Sequence, residues 1–254
     1  MPDPTASAPR TSLFDGRVVL VTGSSVGIGA ACARRFAAEG ATVVVNSVTN
    51  VEAGERVATE LPSASYCRAD IADAREVDGL LEHVSERHGR LDLLVNNAGT
   101  TQVIPHAELD AATPEVWRRI LDVNLIGTWL VTVAALPLLR ASDQGQVINV
   151  SSIAGQRTTG SSIPYACSKA AVDHLTRLLA NALGPEVRVN AVAPGLVDTP
   201  RTAEWEGPRD FVTAAAPLRR VATPDDVADV VHGVACSGYM TGEVVLVDGG
   251  MHLI

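Results

Sequence analysis

The sequence is poor in aromatic residues, in paired cysteines and in positive charge, and each shortage closes off a class of function. Phe, Trp and Tyr make up 4% of 254 residues, so Val, Ala, Leu and Ile have to fill the interior. Hydrophobic residues reach 46% and charged residues 19%. That is material for a sizeable core and excludes disorder as the main state. Lys and Arg number 20 against 29 Asp and Glu, a formal net charge of −9. Such a balance argues against nucleic acid or an anionic membrane as the main partner. Cys32, Cys67, Cys167 and Cys236 lie far apart and form no C-x-x-C pair. Small thiols in a reducing cytoplasm are expected, not a zinc knuckle or a disulfide framework. The six histidines form no H-x-x-x-H pair, so no metal site is expected.

Long hydrophobic runs are also lacking. The longest, Leu125 to Leu139, contains Pro137 and two threonines, and falls short of the ~20 residues of a membrane-spanning helix. Met1 to Arg10 carries three prolines and no apolar h-region. It reads as a flexible tail over 1–12, not as a secretory signal, with a single domain over 13–254.

What is present is an alternation of short apolar runs and longer helical patterns. Arg17 to Val21, Thr42 to Asn46, Ser65 to Arg68, Leu91 to Val95, Gln146 to Val150, Val187 to Val192 and Glu243 to Val247 read as strands. Between them lie helices from Gly27 to Glu39, Val51 to Leu61, Asp73 to His88, Pro114 towards Arg140, Tyr165 to Leu183 and onward from Thr223. Gly89 follows the third as a C-terminal stop. Thr113-Pro114 and Thr223-Pro224 open two others as cap and first residue. Continuously apolar strands separated by helices imply an α/β domain, a doubly wound parallel sheet of about seven strands with helices on both faces. Such sheets bind ligands beyond the carboxyl ends of their strands.

The residues after each strand carry the chemistry. After the first comes Thr22-Gly23-Ser24-Ser25-Val26-Gly27-Ile28-Gly29. Its glycines allow unusual dihedrals and close approach to a pyrophosphate, and the helix N-terminus offers N–H groups to that anion. Gly23-Ser-Ser25-Val-Gly27 also fits the G-x-S-x-G elbow of serine hydrolases, but only a tail and one strand precede Ser25, leaving no upstream loop for an oxyanion hole. Asn96-Asn97-Ala98-Gly99 follows the fourth strand and Ser151-Ser152 the fifth. Tyr165 and Lys169 stand at i and i+4 on one helix face. Asn124 places an amide inside an apolar helix, where it needs a partner. Together they supply an acid, a cation, a hydroxyl and an amide.

This set resembles the short-chain dehydrogenases/reductases, closest to their ketoacyl-carrier-protein-reductase-like branch. The matching motifs are Thr22-Gly-x-x-x-Gly-Ile-Gly29, Asn96-Asn-Ala-Gly99, Tyr165-x-x-x-Lys169, Pro194-Gly195, Pro217 to Pro224, and Thr241-Gly-Glu with Val247-Asp-Gly-Gly250. They cover about Phe14 to Ile254. The resemblance implies a Rossmann-type fold and hydride transfer between a nicotinamide and a carbonyl or alcohol carbon. It assigns Asn124, Ser152, Tyr165 and Lys169 as the catalytic tetrad. Tyr165 exchanges the proton, Lys169 lowers its pKa and binds ribose, Ser152 polarises the substrate oxygen, and Asn124 holds a water. The cofactor would lie against Gly23, Ser25, Val26, Gly27, Ile28, Gly29, Asn46, Ser47, Asp70, Ile71, Asn97, Ala98, Gly99, Pro194, Gly195, Val197 and Thr199, besides Tyr165 and Lys169. A nucleotide sensor without turnover is the non-enzyme alternative, but Tyr165 and Lys169 are both retained.

The second strand ends at Ser47, where NAD-preferring relatives carry an acid, so NADP(H) is favoured. Val26 and Thr49 stand where relatives often place arginines, so NAD(H) is the second expectation. Residues 198–217 form a variable lid with Trp205 and Phe211. The apolar face around Trp129, Val133 and Leu136, with the last strand, implies a homotetramer.

Overall fold

A computed structural model describes residues 13–254, and the expected tail over 1–12 lies outside the described residues. The strands are β1 (Val18–Val21), β2 (Thr42–Ser47), β3 (Ala64–Arg68), β4 (Leu93–Asn96), β5 (Gln146–Val150), β6 (Arg188–Pro194) and β7 (Val244–Val247). The helices are α1 (Gly27–Ala38), α2 (Val51–Glu60), α3 (Ala74–His88), α4 (Pro114–Leu121), α5 (Thr128–Ala141), α6 (Ile163–Leu183), α7 (Glu206–Ala215) and α8 (Pro224–Cys236). All seven strands pair in parallel, in the order β3-β2-β1-β4-β5-β6-β7. The order reverses direction between β1 and β4, which opens a crevice above their carboxyl ends.

Successive strand side chains point to opposite faces, and both faces are buried here. Val19 and Val21 pack with Phe36 of α1 and Val231 of α8 in one core. Val18 and Leu20 pack with Leu80 of α3 and Val131 of α5 in the other. Burying each such side chain stabilises by roughly 1.5–3 kcal/mol. This is why the strands read as unbroken apolar runs.

The expected helix stops are present. Gly89 follows α3 at φ +69°, and its N–H donates to Ser85 O. Thr223 caps α8 in a reciprocal box, its hydroxyl accepting from Asp226 N at 3.2 Å while Asp226 accepts from Thr223 N at 2.7 Å.

Three expectations are corrected. The single helix expected from Pro114 is interrupted at Asp122–Gly127 by a π-helical segment. There the Thr128 hydroxyl donates to the Asn124 main-chain oxygen at 2.8 Å. With α4 and α5 this segment makes a continuous helical stretch, Pro114–Ala141, which is long and apolar enough to cross a membrane by length and composition. Its apolarity instead serves the core, where Val131, Ala135 and Leu139 are fully buried. The lid carries a helix, α7, none of whose residues is buried.

Candidate active site

The carboxyl ends of β1 to β6 all contribute to one cavity of about 1400 Å³, with Met251 from the turn beyond β7. After β1 the chain turns through Gly23 at φ +63° and Gly27 at φ +58°. A Cβ at Gly23 would stand 2.8 Å from Ala98 Cα, so the β1 and β4 loops touch because this residue has no side chain. Val26 precedes α1 without capping it, and the first turn carries no acid. The N–H groups of that turn are thus left for an anion.

The β4 loop is tied to β1 by the Asn97 amide, which donates to Thr22 O at 2.9 Å and Gly23 O at 3.0 Å. Asn46 is buried and donates to Cys67 O and Ala69 O at 3.2 and 3.1 Å, while its Oδ1 accepts from Gly23 N at 3.3 Å. Its side chain therefore holds the loops in register, although the residue lines the cavity. Ser47 Oγ donates to Asn50 O at 3.2 Å and lies 2.9 Å from the Tyr66 hydroxyl. Asp70 accepts from Ala72 N at 2.9 Å and Ile71 is buried beside it. A Cβ at Gly195 would stand 3.0 Å from Asp248 Cα. Val197 bridges to Ala222, and Thr199 bonds to Thr202.

Tyr165 lies in the first turn of α6, opened by Ser162 as N-cap and Pro164. One turn on, Lys169 is 6% exposed, and its Nζ donates to Val150 O at 2.8 Å. The ammonium stands 5.9 Å from the Tyr165 ring centre. Burial is the main cause pushing Lys169 down to about 8; Arg201 lowers it further and Asp173 raises it. Burial pushes the Tyr165 phenol above its ordinary value, opposed by a hydrogen bond with Ser152 and by the charge of Arg201. Burial outweighs these two influences on the phenol, and the Lys169 ammonium is turned to Val150.

Asn124 stands behind the cavity wall. Its Oδ1 accepts from Thr100 N at 2.7 Å, and its Nδ2 donates to Thr100 O at 3.0 Å and Ser168 Oγ at 2.9 Å. The π segment thus clamps the β4 loop to α6. Apart from Asn124 and Gly29, every residue expected at the site lines the cavity. A Cβ on Gly29 would overlap Gly23 O and Asn97 Nδ2, so this glycine serves packing beneath the loop. Ser25 lines the cavity, but no histidine bonds to it among the described residues, which removes the hydrolase alternative. No cluster of three or more metal-ligating side chains occurs among the described residues.

Sequence reasoning missed Thr100, Thr101, Ile104, His106 and Arg119, which line the cavity from the β4 loop and α4. The rule that ligands lie beyond strand ends pointed to that loop. The motif in that loop ends at Gly99, and beyond it no residue stood out.

A family model described as Enoyl-(Acyl carrier protein) reductase matches residues 23–252. The chain is 56% identical over 247 residues to a Streptomyces violaceoruber protein assigned as ketoacyl reductase 2 of the granaticin polyketide synthase, over 96% of this chain and 99% of that one. It is 36% identical over 245 residues to the 3-oxoacyl-acyl-carrier-protein reductase FabG of Thermotoga maritima, over 94% and 98% of the two chains. A crystal structure from Burkholderia xenovorans, described as a short-chain dehydrogenase/reductase, superposes with a TM-score of 0.88 at 38% identity, covering 94% of this chain and 98% of that one. With the strand order, the glycine turn and the Tyr165–Lys169 pair, these likenesses show that the chain belongs to the short-chain dehydrogenase/reductase family of nicotinamide-dependent oxidoreductases.

Proposed function

We propose that the chain reduces a 3-oxoacyl-type or related ketone to a secondary alcohol with NADPH, and that Tyr165 delivers the proton. The observation that carries this reading is the opening of the glycine turn after β1 and of Ser152, Tyr165 and Lys169 onto one cavity. The names of the two relatives support the substrate class.

The residues present fit a nicotinamide dinucleotide. Gly23 and Gly27 leave a cradle that side chains would fill, and a Cβ at Gly27 would already meet Thr199 Cγ2 at 3.3 Å. The open first turn of α1 would hold the diphosphate, Asp70 and Ile71 the adenine end, and Ala98, Gly99 and the Pro194 to Thr199 segment the nicotinamide end. When bound, the nicotinamide supplies the hydride. The protein supplies the rest. Tyr165 Oη gives its proton to the substrate oxygen during reduction and takes it back during oxidation. Ser152 Oγ steadies that oxygen and the phenol together. Lys169 has three N–H donors, and Val150 O takes one of them, which leaves two for ribose hydroxyls. Asn124, behind the cavity wall, would hold the relay water as the family resemblance implies, its main-chain oxygen also accepting from the Thr128 hydroxyl.

The preference for NADPH rests on the end of β2, where residues 46–50 line the cavity without a carboxylate. The phosphate would meet hydroxyls and backbone N–H groups. Arg68, the register partner of Ser47, is committed to Glu76 at 3.0 Å, so the preference is modest. Within the same reading the protein is a cytoplasmic homotetramer. Support comes from thiols that are all unpaired among the described residues and from exposed Ile126, Trp129 and Val133 along one helical face. Leu136 packs against the inner core instead.

The test is nicotinamide absorbance with NADPH and NADH against a panel of 3-oxoacyl thioesters and cyclic ketones, and against the matching alcohols in reverse. Ketone-dependent oxidation, faster with NADPH, is the expected result. Cofactor binding with no turnover of any ketone or alcohol would leave the chain a nucleotide sensor.

A further inference from the structure

We infer that Arg201, on the connection between β6 and α7, is a positioning residue that acts electrostatically on Tyr165 and Lys169 during proton exchange. This rests on the reductase reading above. The connection arches over the crevice: Thr199 meets the Gly27 side, and Arg201 Nη2 donates to Gly99 O on the other side at 2.6 Å. Gly99 also lies beside the ammonium, since a Cβ built on it would stand 3.7 Å from Lys169 Nζ. One glycine therefore separates a guanidinium from the catalytic ammonium.

The charge on Arg201 is uncompensated. Among the described residues it makes no ion pair, and its hydrogen bond is to a neutral carbonyl. Its lid neighbour Arg209, by contrast, is held by Asp198 at 2.8 Å. A cation in this place favours phenolate over phenol and amine over ammonium. Both effects are present: Arg201 lowers Tyr165 and Lys169 alike. The other groups facing the pair are Ser152, bonded to the phenol, and Asp173, one turn along α6, which raises Lys169. Asp173 is itself turned to Gln156 at 3.2 Å. Asp70, His106, Arg119, Glu204 and Glu206 line the wider cavity. Arg201 is exposed, so salt screens its effect.

The experiment is the pH–rate profile for oxidation of a secondary alcohol, with wild type, Arg201→Gln and Arg201→Lys, at low and high salt. Cofactor dissociation constants are measured alongside. Removing the charge raises both pKa values, so both limbs of the Arg201→Gln profile move about half a pH unit or more to the alkaline side. Arg201→Lys stays closer to wild type. Added salt shifts wild type in the same direction, a readout that needs no variant to fold, and leaves Arg201→Gln in place. A purely structural lid contact would lower the height of the profile and leave its limbs where they are. That outcome, or a weakened cofactor dissociation constant with unmoved limbs, overturns the inference while the reductase reading stands. If wild type turns over no alcohol or ketone, the reductase reading fails first and this inference with it.

Discussion

At the scale of single residues, the site depends on a phenol that burial makes reluctant to ionise. Tyr165→Phe keeps the ring and removes the oxygen that carries the proton. Loss of a positioned acid–base group costs about 10²- to 10⁴-fold in kcat, and stopped-flow or steady-state rates should show it. Cofactor affinity, read by fluorescence titration, should stay near wild type. Ser47→Asp tests the other end of the cofactor. A carboxylate there repels a 2′-phosphate by roughly 1–4 kcal/mol at ~4 Å, depending on how much water intervenes. It also accepts from the free ribose hydroxyls of NADH. The ratio of kcat/KM for NADPH over NADH should fall about tenfold or more. An unchanged ratio would mean that the end of β2 does not read the phosphate. These residues were legible in the sequence because they stand in motifs that resemble the family's, Ser47 at a strand end and Tyr165 one helical turn before Lys169. Arg201 was not, since its position depends on the Gly99 carbonyl, and contact between two distant loops leaves no local pattern.

At the scale of elements, the strands and caps were readable and two features were not. Buried strands show as apolar runs, and Gly89 and Thr223 mark their helix ends directly. The break at Asn124 was hidden because the apolar spacing continues on both sides of it. Helix α7 was hidden because it is short and carries Gly207 and Pro208 in its first turn, and because it buries no residue. The glycine turn is held by packing as much as by its dihedrals. Gly29→Ala would drive a methyl into Gly23 O and Asn97 Nδ2, and overpacking of this kind costs about 1–3 kcal/mol. The denaturant midpoint should drop with the slope unchanged.

A pH dependence belongs to the α3–β3 contact. Ser65 Oγ lies 2.9 Å from His88 Nε2 and 3.0 Å from His83 Nε2. Burial lowers both histidines, with Arg87 adding to the effect. The folded state therefore binds fewer protons than the unfolded chain, and stability rises with pH across this range. The contribution is full above the unfolded value near 6.5 and is lost as pH falls from there through the depressed folded values. Thermal midpoints at pH 5.5 and 7.5 should differ less in a His83→Gln, His88→Gln double variant than in wild type. His232, also lowered by burial, keeps part of the slope in that variant.

At the scale of the whole molecule, the apolar surface along α5 asks for a neighbour. Trp129 is 44% exposed and Val133 41%, and together with Ile126 they form an exposed apolar stripe among the described residues. Trp129→Glu places a charge in that stripe without touching the cavity. Light scattering at micromolar concentration should show a tetramer for wild type and a smaller species for the variant. A wild-type monomer would refute the assembly.

The π-helical segment at Asp122–Gly127 couples these scales through rotation. It takes up one extra residue without the turn of about 100° that each residue adds to a regular α-helix. Everything downstream is set by that withheld angle. Thr132 faces inward to accept from Asn96 Nδ2 at 2.9 Å, and Trp129 faces outward. Forcing the segment into a regular α-helix of the same length would add that turn and swing Thr132 away from the Asn96 amide. The same rotation would carry the indole off the outer stripe. The angular offset that seats Asn124 behind the cavity is thus also the one that aims the outer apolar stripe.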